Sequence, residues 1–200
     1  TTSRTTPPAL RVLSWGGGLD STTLLLMSHH GELPRLDAAI FADTQNEPIA
    51  VYETIEWVSK TVDIPIYRVS AGNLGEQVLS VAQDYANGKH LSAGQHGQPP
   101  FWVKNDPNKA YATADSGGQL WRKCTRDFKI LPIRQKIREL LGVKVMGRLP
   151  KNVWVEQWVG FPRDELQRTF CSDVQWITNI FPLILPKRMA KRDCTAWLTE

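Results

Sequence analysis

The stretch that most constrains how this chain can fold is RVLSWGGGLDSTTLLL, Arg11 to Leu26: an apolar run, three glycines, a short polar step and a second apolar run. Glycine costs a folding chain more backbone entropy than any other residue, so three in succession mark a place where bare backbone is needed. The spacing predicts a buried strand over Leu10 to Trp15 and a helix over Ser21 to His29. A glycine turn between two such elements gathers several backbone N–H groups and the positive end of the helix around one point, which suits a phosphate. The P-loop is excluded, because no Gly-Lys-Ser/Thr follows. The dinucleotide fingerprint is excluded as well, because Ser21 stands where its third glycine belongs. A plain strand-to-helix turn, with Asp20 or Ser21 as the N-cap, is the simpler alternative.

The same alternation continues. Leu36 to Ala42 reads as a second buried strand, Pro48 opens a helix from Ile49 to Thr61, Ile64 to Val69 is a third strand, and a weaker helix runs from Leu74 to Tyr85. After a Gly-, Pro- and His-rich stretch, RDFKILPIRQKIRELL restores helical spacing, with Ile133, Ile137, Leu140 and Leu141 on one face. Val153 to Val159 and Trp176 to Leu183 are further strand regions, Pro182 arguing for an edge or an ending. Strands alternating with helices imply an α/β fold, a doubly wound parallel sheet with helices on both faces. Residues 1–9 read as a disordered lead, and 10–200 as a single domain with a long loop insertion at about 87–123.

With 24 basic and 20 acidic residues the net charge is +4, mildly favourable to anionic partners. Three widely spaced cysteines, Cys124, Cys171 and Cys194, argue against a disulfide framework and for a reducing compartment, the cytoplasm by default. The apolar runs are far short of the roughly 20 residues a membrane span needs. No Met opens the sequence and it stops soon after DCTAWL, so further residues are expected at either end.

Gly16-Gly17-Gly18-Leu19-Asp20-Ser21 resembles the Ser-Gly-Gly-x-Asp-Ser loop of the PP-loop ATP pyrophosphatases, with Gly16 in the usual Ser place. FADTQNEPIAVYETIEWV resembles the second-strand motif of the phosphoadenosine phosphosulfate reductase-like branch of that superfamily: Asp43 and Thr44 match, and Gln45 replaces a Gly. In CTRDFKILP, Cys124, Lys129 and Pro132 match a further element of the branch. GFPRDELQR is similar to its substrate-approaching segment, with Asp164, Glu165 and Arg168 as polar contacts. The resemblance spans residues 11 to 170 and implies a HUP-like (adenine nucleotide α-hydrolase) fold.

It also implies chemistry. The loop would hold the β- and γ-phosphates of ATP while a nucleophile attacks the α-phosphorus, releasing pyrophosphate and leaving an adenylylated substrate. Cofactor contacts then fall to Ser14, Trp15, Gly16, Gly17, Gly18, Leu19, Asp20, Ser21, Thr22, Asp43 and Thr44. Asp20 is the candidate for Mg²⁺, and Asp20, Ser21, Lys129 and Arg168 are the catalytic candidates. Arg122, Lys123, Arg126 and Lys129 form a candidate polyanion-facing patch.

A working sulfonucleotide reductase of the family also needs a Glu-Cys-Gly nucleophile, which this sequence lacks. RDCTAWL instead resembles relatives outside sulfate assimilation, in which Cys124 and Cys194 would be two ligands of a 4Fe–4S cluster, with ordinary buried thiols as the alternative. Those relatives include the sulfur-activating components of DNA phosphorothioation systems. The implied acceptor is therefore a nucleic acid, DNA more than tRNA, and the implied partners are a cysteine desulfurase or other sulfur-transfer proteins. A reductase or sulfotransferase, and a nucleotide-binding module without turnover, are the competing expectations.

Overall fold

The computed structural model describes residues 6–87, 102–103, 118–119, 125–144 and 147–199. They belong to two compact units, one of Thr1–Ala42, Glu47–Val69 and Ile133–Glu200, the other of Asp43–Asn46 and Ser70–Pro132.

The first unit is built on five parallel strands: β1 (Leu10–Trp15), β2 (Ala38–Ala42), β3 (Ile66–Val69), and, late in the chain, β6 (Val155–Val159) and β7 (Ile177–Ile180). Their order is β3-β2-β1-β6-β7. β1 lies between β2 and β6, with Val12 opposite Ala38 and Gln157. The chain winds outward from β1 in one direction through α1 (Leu19–His29) and α2 (Ile49–Thr61), then returns to wind outward on the other side. Such a reversal opens a crevice at the carboxyl ends of the two strands where it occurs, here β1 and β6, and ligands of α/β proteins settle there.

Side chains alternate across the sheet. On one face Leu13, Trp15, Phe41 and Trp158 pack with Leu24, Leu25 and Met27 of α1, Val58 of α2 and Cys194 of α5 (Lys191–Thr199). On the other, Val12, Ile40, Val155 and Ile177 meet Ile133 and Ile137, both on α4 (Leu131–Leu140). Helices therefore cover both faces. Each large apolar side chain removed from water in this way contributes about 1.5–3 kcal/mol before ordering costs.

α1 is enclosed on almost every side, Ser21 to Ser28 all being buried. It tolerates polar residues there because they are bonded internally: Ser28 Oγ donates to Pro34 O at 3.1 Å and accepts the Leu36 N–H at 2.8 Å. The expected N-cap is corrected. The helix starts at Leu19, two residues earlier than the periodicity predicts, and Gly18 is its N-cap, with no side chain capping it. β2 and β3 begin two residues later than expected, and β7 ends at Ile180, before Pro182.

The second unit contains α3 (Leu74–Ala86) and the antiparallel pair β4 (Trp102–Val103) and β5 (Gly118–Gln119), which fall inside the stretch read as a loop insertion. A π-type turn, Thr125–Ile130, runs directly into α4. Pro132 sits at the second position of α4, immediately after that turn. No helix among the described residues is long and apolar enough to cross a membrane.

Candidate functional site

The turn after β1 shows which glycine the fold itself requires. Gly17 has φ +67°, and a Cβ there would lie 2.8 Å from Val51 Cγ1 of α2. A side chain would be excluded by conformation and by contact. Gly16 and Gly18 are different: a Cβ on either would meet nothing within 4 Å. Two of the three glycines leave space over the loop that none of the described residues fills.

The loop is held from beneath. Ser21 Oγ accepts the Gly16 N–H at 3.3 Å and donates to Gly18 O at 3.2 Å. Ser21 is 9% exposed, and it braces the turn. Gly160, at the end of β6, closes on the same residue: a Cβ there would come within 2.8 Å of Ser21 Cα and N. The carboxyl ends of β1 and β6 and the start of α1 therefore meet at Ser21, at the reversal point of the sheet. With no side-chain cap, the first-turn N–H groups of α1 have no intrahelical acceptor. They add their partial positive charge to the open space.

Asp20 lies in the first turn of α1. Among the described residues its Oδ1 is buried without a hydrogen-bond partner, and the Cys194 thiol of α5 lies near the carboxylate. Burial pushes its carboxyl above the ordinary value; the nearby Lys191 opposes this, and Glu165 and Asp164 reinforce it. Glu165 is also the ion-pair partner of Arg168, whose guanidinium lies 4.5 Å from the ring centre of Phe161. The Asp164 carboxylate accepts the Lys191 N–H at 3.2 Å, tying the turn after β6 to the start of α5.

The expected site residues fall into three groups. Gly16, Gly17, Gly18, Leu19, Asp20 and Ser21 form the turn, and Asp164, Glu165 and Arg168 follow β6 in the same unit. Trp15 and Thr22 are engaged with each other, the buried indole N–H donating to Thr22 Oγ1 at 3.1 Å, so the hydroxyl expected to touch phosphate is a core contact instead. Ser14 shares a strand face with Val12, opposite the face that α1 covers, so it does not replace the hydroxyl that Gly16 lacks.

Asp43, Thr44 and Lys129 belong to the second unit. Asp43 is 2% exposed; its Oδ1 accepts the Gln45 N–H at 2.8 Å, and its carbonyl accepts Ser70 Oγ at 2.8 Å. Thr44 O accepts the Leu74 N–H at 3.0 Å. Gln45, in the place of a glycine in the resembled motif, adopts φ +55°. Lys129 and Arg126 are exposed on the π-type turn; Arg122, Lys123 and Cys124 lie outside the described residues.

Sequence reasoning missed Lys191 and the nearness of Cys194 to Asp20. The signal was the run PKRMAKRDC, whose basic residues went unread beside the cysteine.

Of the two metal groups expected, the residues present fit Mg²⁺. Mg²⁺ takes hard oxygen ligands and is commonly held by one or two carboxylates together with substrate phosphates, and a buried carboxylate oxygen with no partner among the described residues, next in sequence to the open glycine turn, matches that donor set. Among the described residues no three His, Cys, Asp or Glu side chains converge as a metal site. A 4Fe–4S cluster needs thiolates. Cys194 is fully buried, and its thiol is pushed up to about 12, by burial first and by Asp20 next.

No protein-family model matches the chain, and no curated protein sequence matches it. Among solved structures the chain is similar to the crystal structure of phosphoadenylyl-sulfate (PAPS) reductase from Candida auris, phosphate complex. The identity is 15%, with 98% of this chain and 73% of that chain covered and a TM-score of 0.48.

Proposed function

We propose that the chain is an ATP pyrophosphatase, cleaving ATP between the α- and β-phosphorus to activate an acceptor by adenylylation. The observation that carries this reading is the open space over Gly16 and Gly18, set at the reversal point of the sheet against the uncapped start of α1. The β- and γ-phosphates occupy that space. Backbone N–H groups of the turn face the charge that builds on them as the α–β bridging oxygen departs, and because Ser21 already fixes the turn, little reorganisation is needed. The acceptor oxygen bonds to the α-phosphorus, the bond from that phosphorus to the bridging oxygen breaks, and pyrophosphate leaves with the electron pair. Asp20 would hold Mg²⁺ through its unpartnered Oδ1, and bound there the ion neutralises phosphate charge. Arg168, steadied by Glu165 and Phe161, serves the acceptor side.

The acceptor is a nucleic acid, DNA by preference, on its way to sulfur modification, with a sulfur-transfer protein such as a cysteine desulfurase supplying the sulfur. The support for a polyanionic acceptor is electrostatic. Two segments tied by the Arg163 N–H donating to Met189 O at 2.7 Å bring exposed Arg163, Arg168, Arg188, Lys191 and Arg192 into one neighbourhood. Such a cluster favours a phosphate backbone.

Pyrophosphate release from ATP, with Mg²⁺ and single-stranded DNA present, tests the reading. Release by the wild type and at least about a hundredfold less from Asp20→Ala is expected. Equal release from both proteins, or none from either, would overturn it.

A further inference from the structure

The outer edge of the sheet carries a surface that the proposed reaction does not use. β7 is the last strand and pairs with β6 alone. The Val155 N–H donates to Trp176 O at 2.8 Å, and Val155 stands opposite Ile177. In a parallel ladder a residue bonds the two neighbours of the one it faces, so Trp176 and Thr178 turn their backbone groups toward β6, while Ile177 and Asn179 turn theirs away. The Ile177 N–H is used in a turn, donating to Val174 O at 3.4 Å. The Ile177 carbonyl and both backbone groups of Asn179 have no backbone partner among the described residues.

A groove of about 1270 Å³ runs along this edge and is lined by every residue of β7, from Ile177 to Ile180. Successive strand side chains point to opposite faces, so a space that meets four in a row faces the edge of the strand. Lys151 and Trp154, which precede β6, line one end, and Phe181 and Leu185, which follow β7, line the other. Natural sheet edges are commonly guarded by charge or proline. The sequence of β7, ITNI, has neither. Beside it Leu166, Phe170 and Leu185 are 55%, 48% and 62% exposed.

Outward backbone groups flanked by apolar side chains are what an added strand satisfies, its main chain giving affinity and its alternate side chains specificity. A nucleic acid suits the groove poorly. Lys151 is the one charged residue among those lining it, whereas a duplex strand carries a phosphate about every 3.4 Å. A second copy of this chain would bring the same lysine and no carboxylate from the same lining.

We propose that the edge of β7 binds an extended segment of a partner protein, added to the five strands as a sixth, with apolar side chains at alternate positions over Phe170 and Leu185 and an Asp or Glu at the end near Lys151. The site is separate from the glycine turn and does not rest on the nucleotide reading.

Dodecapeptides displayed on phage are selected on the wild type and counter-selected on Asn179→Pro, which removes the outward N–H and leaves the bonds to β6 in place. The enriched peptides are expected to share alternating apolar residues and an acidic residue near one end. Synthesised and followed by fluorescence anisotropy, the tightest of them should bind Lys151→Glu a few-fold more weakly than wild type. No enrichment on wild type over Asn179→Pro, or enriched peptides without an acidic residue, overturns the proposal. So does a dodecathymidylate, or a wild-type dimer seen by ultracentrifugation, whose association is lost in Asn179→Pro.

A second measurement uses the wild type alone and is independent of how the variants fold. N-methylation of alternate amides of the selected peptide removes the donors along one of its edges. One set of methylations is expected to weaken binding about tenfold or more, and the complementary set to leave it within about twofold. Equal effects of the two sets overturn the added strand.

Discussion

Gly160 and Ser21, on different elements and far apart in sequence, approach so closely that a single methyl group on Gly160 would lie 2.8 Å from the Ser21 Cα and N. The obstacle is backbone, not a flexible side chain, so it cannot turn aside. Gly160→Ala is therefore expected to push the start of α1 off the end of β6, costing about 1–3 kcal/mol by urea denaturation. Pyrophosphate binding, measured by calorimetry, falls with it.

The three loop glycines should separate by substitution. Gly17→Ala meets both a positive φ and Val51, so a loss of about 1–2 kcal/mol is expected. Trimming Val51 to Ala recovers only the contact part. Gly16→Ser and Gly18→Ala have room and should leave the thermal midpoint within a few degrees. If phosphate occupies that room, Gly18→Ala weakens pyrophosphate binding without destabilising the fold.

Asp20 ties stability to pH with a definite sign. Its folded carboxyl titrates above the ordinary value of 3.8, mainly through burial. The stability associated with the protonated form is complete below the unfolded value and is lost as pH rises through the folded one. Asp20→Asn is accordingly expected to melt at a higher temperature than wild type at pH 7, the difference closing as pH falls toward 4. ATP cleavage is lost in the same variant. A wild type that melts higher than Asp20→Asn at pH 7 would contradict the burial cost.

The basic residues after β6 and β7 can be probed by salt. Replacing Arg163 and Arg188 with Ala removes two exposed charges from segments joined at Met189. Single-stranded DNA binding by fluorescence anisotropy should weaken, and the slope of log affinity against log salt should become shallower by about 1.5.

Much of the fold was legible because apolar runs and glycine punctuation coincide with the elements. β1 and α2 occupy the predicted residues, and α1 and β6 are displaced by only two residues at one end. The displacement of α1 has a cause: Asp20 and Ser21 look like caps, but Ser21 Oγ is engaged with Gly16 and Gly18 inside the turn. The candidate site was legible where it is local in sequence. Asp20 was picked out through the resemblance of GGGLDS to the Ser-Gly-Gly-x-Asp-Ser loop. The nearness of Cys194 to it could not be, because that exists only once α5 has packed under α1. Gln45 shows the opposite case. A replaced glycine was visible in the sequence, and φ +55° shows that the backbone kept the glycine conformation, with the Gln45 N–H on Asp43 Oδ1 and Nε2 on Ser70 Oγ to hold it.

That dependence of Asp20 on α5 gives the protein a temporal order during synthesis. The glycine turn leaves the ribosome early, yet Cys194 and Lys191, which set the surroundings of its acidic residue, follow only after nearly the whole sheet has been translated. Contacts so distant along the chain are among the slowest to form. A nascent chain that has completed β1, α1 and β2 thus carries the turn but not the environment of Asp20.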